Sequence, residues 1–75
     1  MGIKHSLYDM KPGDKAVVRK LLNEGSIRRR LMDIGLIENT LVECVGKSPM
    51  GDPSAFLIRG AVIAIRSEDC GKIEI

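Results

Sequence analysis

Residues 54–66, Ser54-Ala55-Phe56-Leu57-Ile58-Arg59-Gly60-Ala61-Val62-Ile63-Ala64-Ile65-Arg66, decide the fold. They predict two strands, 54–59 and 61–66, joined by a tight hairpin across Arg59-Gly60, with Gly60 supplying the φ that other residues avoid. Upstream, Leu41-Val42-Glu43-Cys44-Val45-Gly46-Lys47 reads as another strand. It is separated from the hairpin by Ser48-Pro49-Met50-Gly51-Asp52-Pro53, a loop with two prolines and a glycine. Downstream, Ser67-Glu68-Asp69-Cys70-Gly71 reads as one helical turn capped by Ser67. Lys72-Ile73-Glu74-Ile75 alternates and predicts a last strand.

Towards the N-terminus, residues 15–22 are rich in β-branched residues and predict a first strand, ended by Asn23-Glu24-Gly25. Met10-Lys11-Pro12-Gly13-Asp14 is a turn, with φ fixed by Pro12 and freed at Gly13. Leu7 and Tyr8 before it read as one short helical turn against the core. The single good helix covers residues 26–36. Ser26 is the expected N-cap. Ile27, Leu31 and Ile34 fall on one face. Gly35 ends the helix in a left-handed conformation, with Leu36 packed back on the last turn. Arg29 and Asp33 point away from the apolar face; Arg28 and Met32 share one flank, and Arg30 takes the other.

The fold class that follows is mostly β: about five short strands and one short α-helix, curled into a small, partly open barrel. A flat sheet of this size would leave long unpaired edges, which curling hides. With 75 residues the chain is one domain, 1–75. It buries only roughly 60% of the surface its unfolded form exposes, too little for a core plus a deep dry cavity. One Tyr, one Phe and no Trp leave an aliphatic core, expected from Val17, Val18, Leu21, Leu31, Ile34, Val42, Val45, Ile58, Ile63 and Ile65.

Net charge is +2, from 12 basic and 10 acidic residues. That balance, without stacking aromatics, argues against nucleic acid as partner. No apolar run approaches the ~20 residues of a membrane-spanning helix, and Met1-Gly2-Ile3-Lys4-His5-Ser6 has no leader-like apolar stretch, so a cytoplasmic chain is expected. Cys44 and Cys70 are too few for a disulfide framework and read as reduced thiols, small buried residues rather than ligands.

Residues 7–14, Leu-Tyr-Asp-Met-Lys-Pro-Gly-Asp, are followed by a strand and then by Arg28-Arg29-Arg30-Leu31-Met32-Asp33-Ile34-Gly35-Leu36. Further on come Pro49-Met50-Gly51-Asp52-Pro53, Arg59-Gly60 and Ala64-Ile65-Arg66. This order resembles the FeoA family of ferrous-iron transport accessory proteins along essentially the whole chain. The resemblance implies an SH3-like barrel and a cytosolic partner, FeoB, the membrane ferrous-iron transporter with an N-terminal GTP-binding domain. A related domain closes iron-dependent repressors, but there it is fused to a DNA-binding half.

No catalytic constellation accompanies this pattern. The single His is His5, near the N-terminus, where it is expected to fray, and acyl transfer needs nucleophile, base and orienting group held together. Gly46-Lys47-Ser48 looks like the end of a phosphate-binding loop, but Leu41 stands where the first glycine belongs and Pro49 blocks the following helix. His5, Cys44, Cys70 and the four methionines show no metal-ligand spacing, so neither a metal site nor a cofactor is expected. Transition-metal (Fe2+) binding or sensing is the alternative reading. PxxP peptide recognition needs an aromatic groove, and only Tyr8 and Phe56 are present.

A docking role leaves surface residues as candidates. Arg28 and Arg29 are expected to meet an acidic patch on the partner, because a planar guanidinium pairs carboxylates bidentately. Cations in the first helical turns also oppose the macrodipole. The bland alternative is a solvated helix face. Met32, with Met50 and Asp52 on the 48–53 loop, is expected to add adaptable contacts; ordinary surface exposure is the alternative there.

Overall fold

The computed structural model of the chain describes residues 5–50 and 52–75. Residues 1–4, read above for the lack of a leader, and the loop's Gly51 lie outside the described residues. The elements are a 3-10 turn (Leu7–Asp9), β1 (Lys15–Val17), β2 (Lys20–Leu21), α1 (Gly25–Asp33), β3 (Leu41–Lys47), β4 (Ser54–Ile58), β5 (Ala61–Ile65), α2 (Ser67–Cys70) and β6 (Ile73–Glu74). One antiparallel sheet has the order β1-β3-β4-β5, and β2 and β6 form a second.

The hairpin forms with Ile58 opposite Ala61. Both turn residues have positive φ, 49° at Arg59 and 84° at Gly60. Such a turn matches the twist of the flanking strands.

The expected strand over 15–22 is a correction. It is two strands, β1 pairing with β3 and β2 with β6, so among the described residues six strands replace the five anticipated. Between them Val18 N–H donates to the Thr40 carbonyl and its own carbonyl accepts from Asn39 N–H, while Arg19 N–H donates to the Glu74 carbonyl. Consecutive residues thus bond to different neighbours, Val18 to the turn that leads into β3 and Arg19 to β6.

The break also corrects the expected core. Val17 faces Leu41 on the outer side of the sheet and is exposed. Val45 is exposed too, since Val42 and Cys44 take the inward positions and the ladder shifts between Cys44 and Gly46. With a side-chain period of two, Val42 and Cys44 share the inner face and Val45 falls on the other. Val18, Leu21, Leu31, Val42, Ile58 and Ile65 are buried as expected, and Ile34 and Ile63 pack half-buried against them. The rest of the core is Leu7, Met10, Leu36, Cys44, Phe56, Cys70 and Ile73.

The helix begins one residue early, at Gly25, with Glu24 rather than Ser26 in the capping position and no side-chain cap bond. It ends at Asp33, short of the expected 36, while Gly35 and Leu36 close it as read. Gly35 has φ +96°, its N–H donates to the Met32 carbonyl, and Leu36 N–H reaches the Leu31 carbonyl at 2.9 Å. These two bonds satisfy carbonyls that a helix end leaves unpaired.

Candidate partner-docking surface

Once its C-terminal end is fixed, α1 sends its three arginines in three directions. The half-buried Arg28 turns back, and its Nη1 donates to the Leu21 carbonyl at 2.7 Å, tying the helix to β2. Arg29 is exposed at the first turn beside Gly25 and Ser26. Arg30 lines a groove of about 200 Å³ between α1 and β5, whose walls include Ile27, Ile34, Ile63 and Arg66. Met32 is 45% exposed.

The 48–53 loop is organised by its own hydrogen bonds. Asp52 N–H donates to Ser48 Oγ at 2.8 Å, and that hydroxyl donates to the Asp52 carbonyl at 2.7 Å. The Asp52 carboxylate accepts from Ser67 N–H at 2.9 Å, at the start of α2. Asp52 therefore fastens the loop to α2. Met50 at the loop tip is 90% exposed. The five expected contact residues thus form two groups, Arg28, Arg29 and Met32 on α1 and Met50 and Asp52 on the loop. Arg28 and Asp52 also hold the fold in place.

Two surface features escaped the sequence reading. The first is the outer face of the four-stranded sheet, where Val17 stands beside Leu41 and Leu57 beside Val62. Leu41 and Val62 are 60% and 63% exposed. An adjoining groove of about 410 Å³ is lined by Lys15, Leu41, Glu43, Leu57 and Arg59 among others. No alternation in the sequence marks this face, since residues 61–65 are apolar throughout and the β3 ladder shifts between Cys44 and Gly46. The second is Arg59. Its Nε donates to the Gly35 carbonyl at 2.9 Å, placing a cation at the C-terminal end of α1, where the macrodipole favours it. A positive-φ arginine carries no sequence signature of that contact.

Both thiols are free and buried. Cys44 Sγ lies 3.8 Å from the Gly46 carbonyl and Cys70 Sγ 3.5 Å from that of Ile65. Burial, then the charges of Asp69 and Asp52, pushes the Cys70 thiol up to about 12, so at neutral pH it is an inert core group. The exposed His5 is linked to the C-terminal strand by its carbonyl, which accepts from Ile75 N–H at 2.9 Å. Among the described residues no group of three or more His, Cys, Asp or Glu side chains is placed to hold a metal ion. No helix among them is long and apolar enough to cross a membrane.

A four-stranded and a two-stranded antiparallel sheet with short helices between the strands define a small SH3-type β domain. The zinc-complexed FeoA of Stenotrophomonas maltophilia, described as a prokaryotic SH3 domain protein, shares this fold with a TM-score of 0.80 at 23% identity, over 92% of this chain and 86% of that one. A family model, the FeoA domain, matches residues 5–75, and the chain belongs to that family. The solution structure of FeoA from Chlorobium tepidum superposes with a TM-score of 0.87 at 32% identity, covering 92% of this chain and 66% of that one. A curated relative, the Fe(2+) transport protein A/Fe(2+) transporter FeoB fusion protein of Porphyromonas gingivalis, is 29% identical over 69 residues. The match takes in 92% of this chain but only 8% of that much longer protein.

Proposed function

We propose that this domain is an accessory of ferrous-iron uptake that works in the cytoplasm by docking on the GTPase side of a FeoB-type transporter. The observation that carries this reading is the fused relative, in which a FeoA-like segment and FeoB are one polypeptide. Fusion raises the effective concentration of two parts that act together. In a separate chain, surface contacts do that work.

The exposed, uncommitted side chains Arg29, Met32 and Met50 are the proposed contacts, with Arg28 and Asp52 fixing the elements that carry them. Direct binding of the purified chain to the isolated GTPase domain, and to the whole transporter, tests the reading with GTP, with GDP and without nucleotide. Binding in at least one state is expected; its absence in all of them overturns the proposal. Fe2+ binding or sensing is the second reading, without a ligand cluster among the described residues to favour it. Anaerobic Fe(II) titration separates the two.

A further inference from the structure

β5 is an edge strand, since it pairs with β4 and closes one side of the sheet order. With a two-residue turn at Arg59-Gly60, the pairs Ile58–Ala61, Phe56–Ile63 and Ser54–Ile65 carry the ladder bonds. The N–H and C=O groups of Val62 and Ala64 then point away from β4, and no backbone hydrogen bond to another element is made by either among the described residues. The strand is uncharged and apolar throughout, Ala61-Val62-Ile63-Ala64-Ile65. Edges of this kind are usually blunted by charge or proline, because they template pairing with another chain.

Across from this edge stands α1. The groove between them has an apolar floor of Leu31 and Ile65 and apolar walls from Ile27, Ile34 and Ile63. A strand laid along β5 would place alternate side chains into that groove while its backbone continued the sheet, the geometry of β-strand addition.

Charge decides the occupant. Arg59 and Arg66 bracket the strand at its two ends, and Arg30 lines the groove, against a single acidic lining residue, Asp69. In an antiparallel self-pair with Val62 opposite Ala64, Arg59 would face Ser67 and Arg66 would face Gly60 of the other copy, so a second copy sets no acidic residue opposite either arginine. An incoming segment with acidic residues at its ends meets a cation at each.

We propose that the β5 edge and the α1 groove together accept an extended partner segment, apolar at alternate positions and acidic at its ends, as an added strand. This rests on the reading of the domain as a docking module. It goes further by naming the surface and the form of the partner.

The test uses the full chain, isotopically labelled, and two synthetic probes, Glu-Ile-Thr-Ile-Thr-Ile-Glu and its Lys-flanked counterpart. The acidic probe is expected to shift amide resonances of residues 61–66 and 27–34, and the Lys-flanked probe to bind at least about tenfold more weakly. Ala64→Pro is expected to abolish binding while leaving the β4 ladder intact, because position 64 donates outward. The doubly reversed Arg30→Glu/Arg66→Glu chain, altered at exposed positions, is expected to lose binding without loss of folding. The proposal is overturned if the acidic probe shifts only the Val17–Leu41 face or nothing. It is equally overturned if both probes bind alike, or if sedimentation shows self-association that Ala64→Pro removes. Ala64→Pro that still binds the transporter normally would sink the inference and leave the docking reading standing. A parent chain that seats the acidic probe but ignores the transporter in every nucleotide state would do the reverse.

Discussion

Arg28 and Arg29 are neighbours in the chain with opposite duties. Arg28→Ala leaves the Leu21 carbonyl without its 2.7 Å donor. It is expected to cost about 1.5–3 kcal/mol in urea unfolding, in the range for a charge-assisted bond on a partly buried carbonyl. Arg29→Glu touches nothing comparable and should leave stability within about 0.5 kcal/mol. Under the docking reading it slows association with the transporter's GTPase domain, read as a lower on-rate whose difference from the parent shrinks as salt is raised. Run length alone could not separate the two residues; only the position of the Leu21 carbonyl does. Cys70 makes the pH argument. Its folded value of about 12 lies above the ordinary 9.0. The unfolded chain therefore releases this proton first as pH rises. The contribution is complete below about pH 9 and is lost progressively towards pH 12. The urea midpoint should fall over that interval, and Cys70→Ala, though less stable at pH 7, should show a shallower fall.

At the scale of elements, the helix end and the hairpin tip are one assembly. A Cβ on Gly35 would sit 2.6 Å from Arg59 Cδ and 2.9 Å from its Nε. The arginine can swing aside, but the +96° φ cannot be relieved that way. Gly35→Ala is expected to cost about 1–2 kcal/mol from the left-handed backbone, and Arg59→Ala in the same chain should recover little of it. A thermal unfolding cycle over the two singles and the double measures this; full recovery in the double would show the clash, not the backbone, to be the cause. Gly35 was legible because a helix period stops there. The Arg59 side of the contact was not, since it joins residues 24 apart in sequence. The division of residues 15–22 was hidden for a similar reason. β propensity marks extended backbone but not which neighbour the strand pairs with.

For the molecule as a whole, one buried ring dominates the interior. Phe56 is fully buried opposite Cys44 and Ile63, in a core otherwise aliphatic apart from its sulfur-bearing residues. Phe56→Ala is expected to remove about 3–5 kcal/mol. In a domain of this size that is most of the stability, so a largely unfolded far-ultraviolet spectrum at 37 °C is expected. The architecture was readable because hairpin, helix and turns each carry local chemistry. The docking surface was less so, because the free β5 edge and the outward valines and leucines exist only after the strands have been ordered side by side. The crossing at Val18 and Arg19 has a last consequence. Since adjacent amides are held by the turn before β3 and by β6, neither neighbour can move away alone without straining the peptide that joins them. Hydrogen–deuterium exchange at those two amides should therefore show one shared protection factor, matching that of Leu22, whose N–H is held by the Lys72 carbonyl.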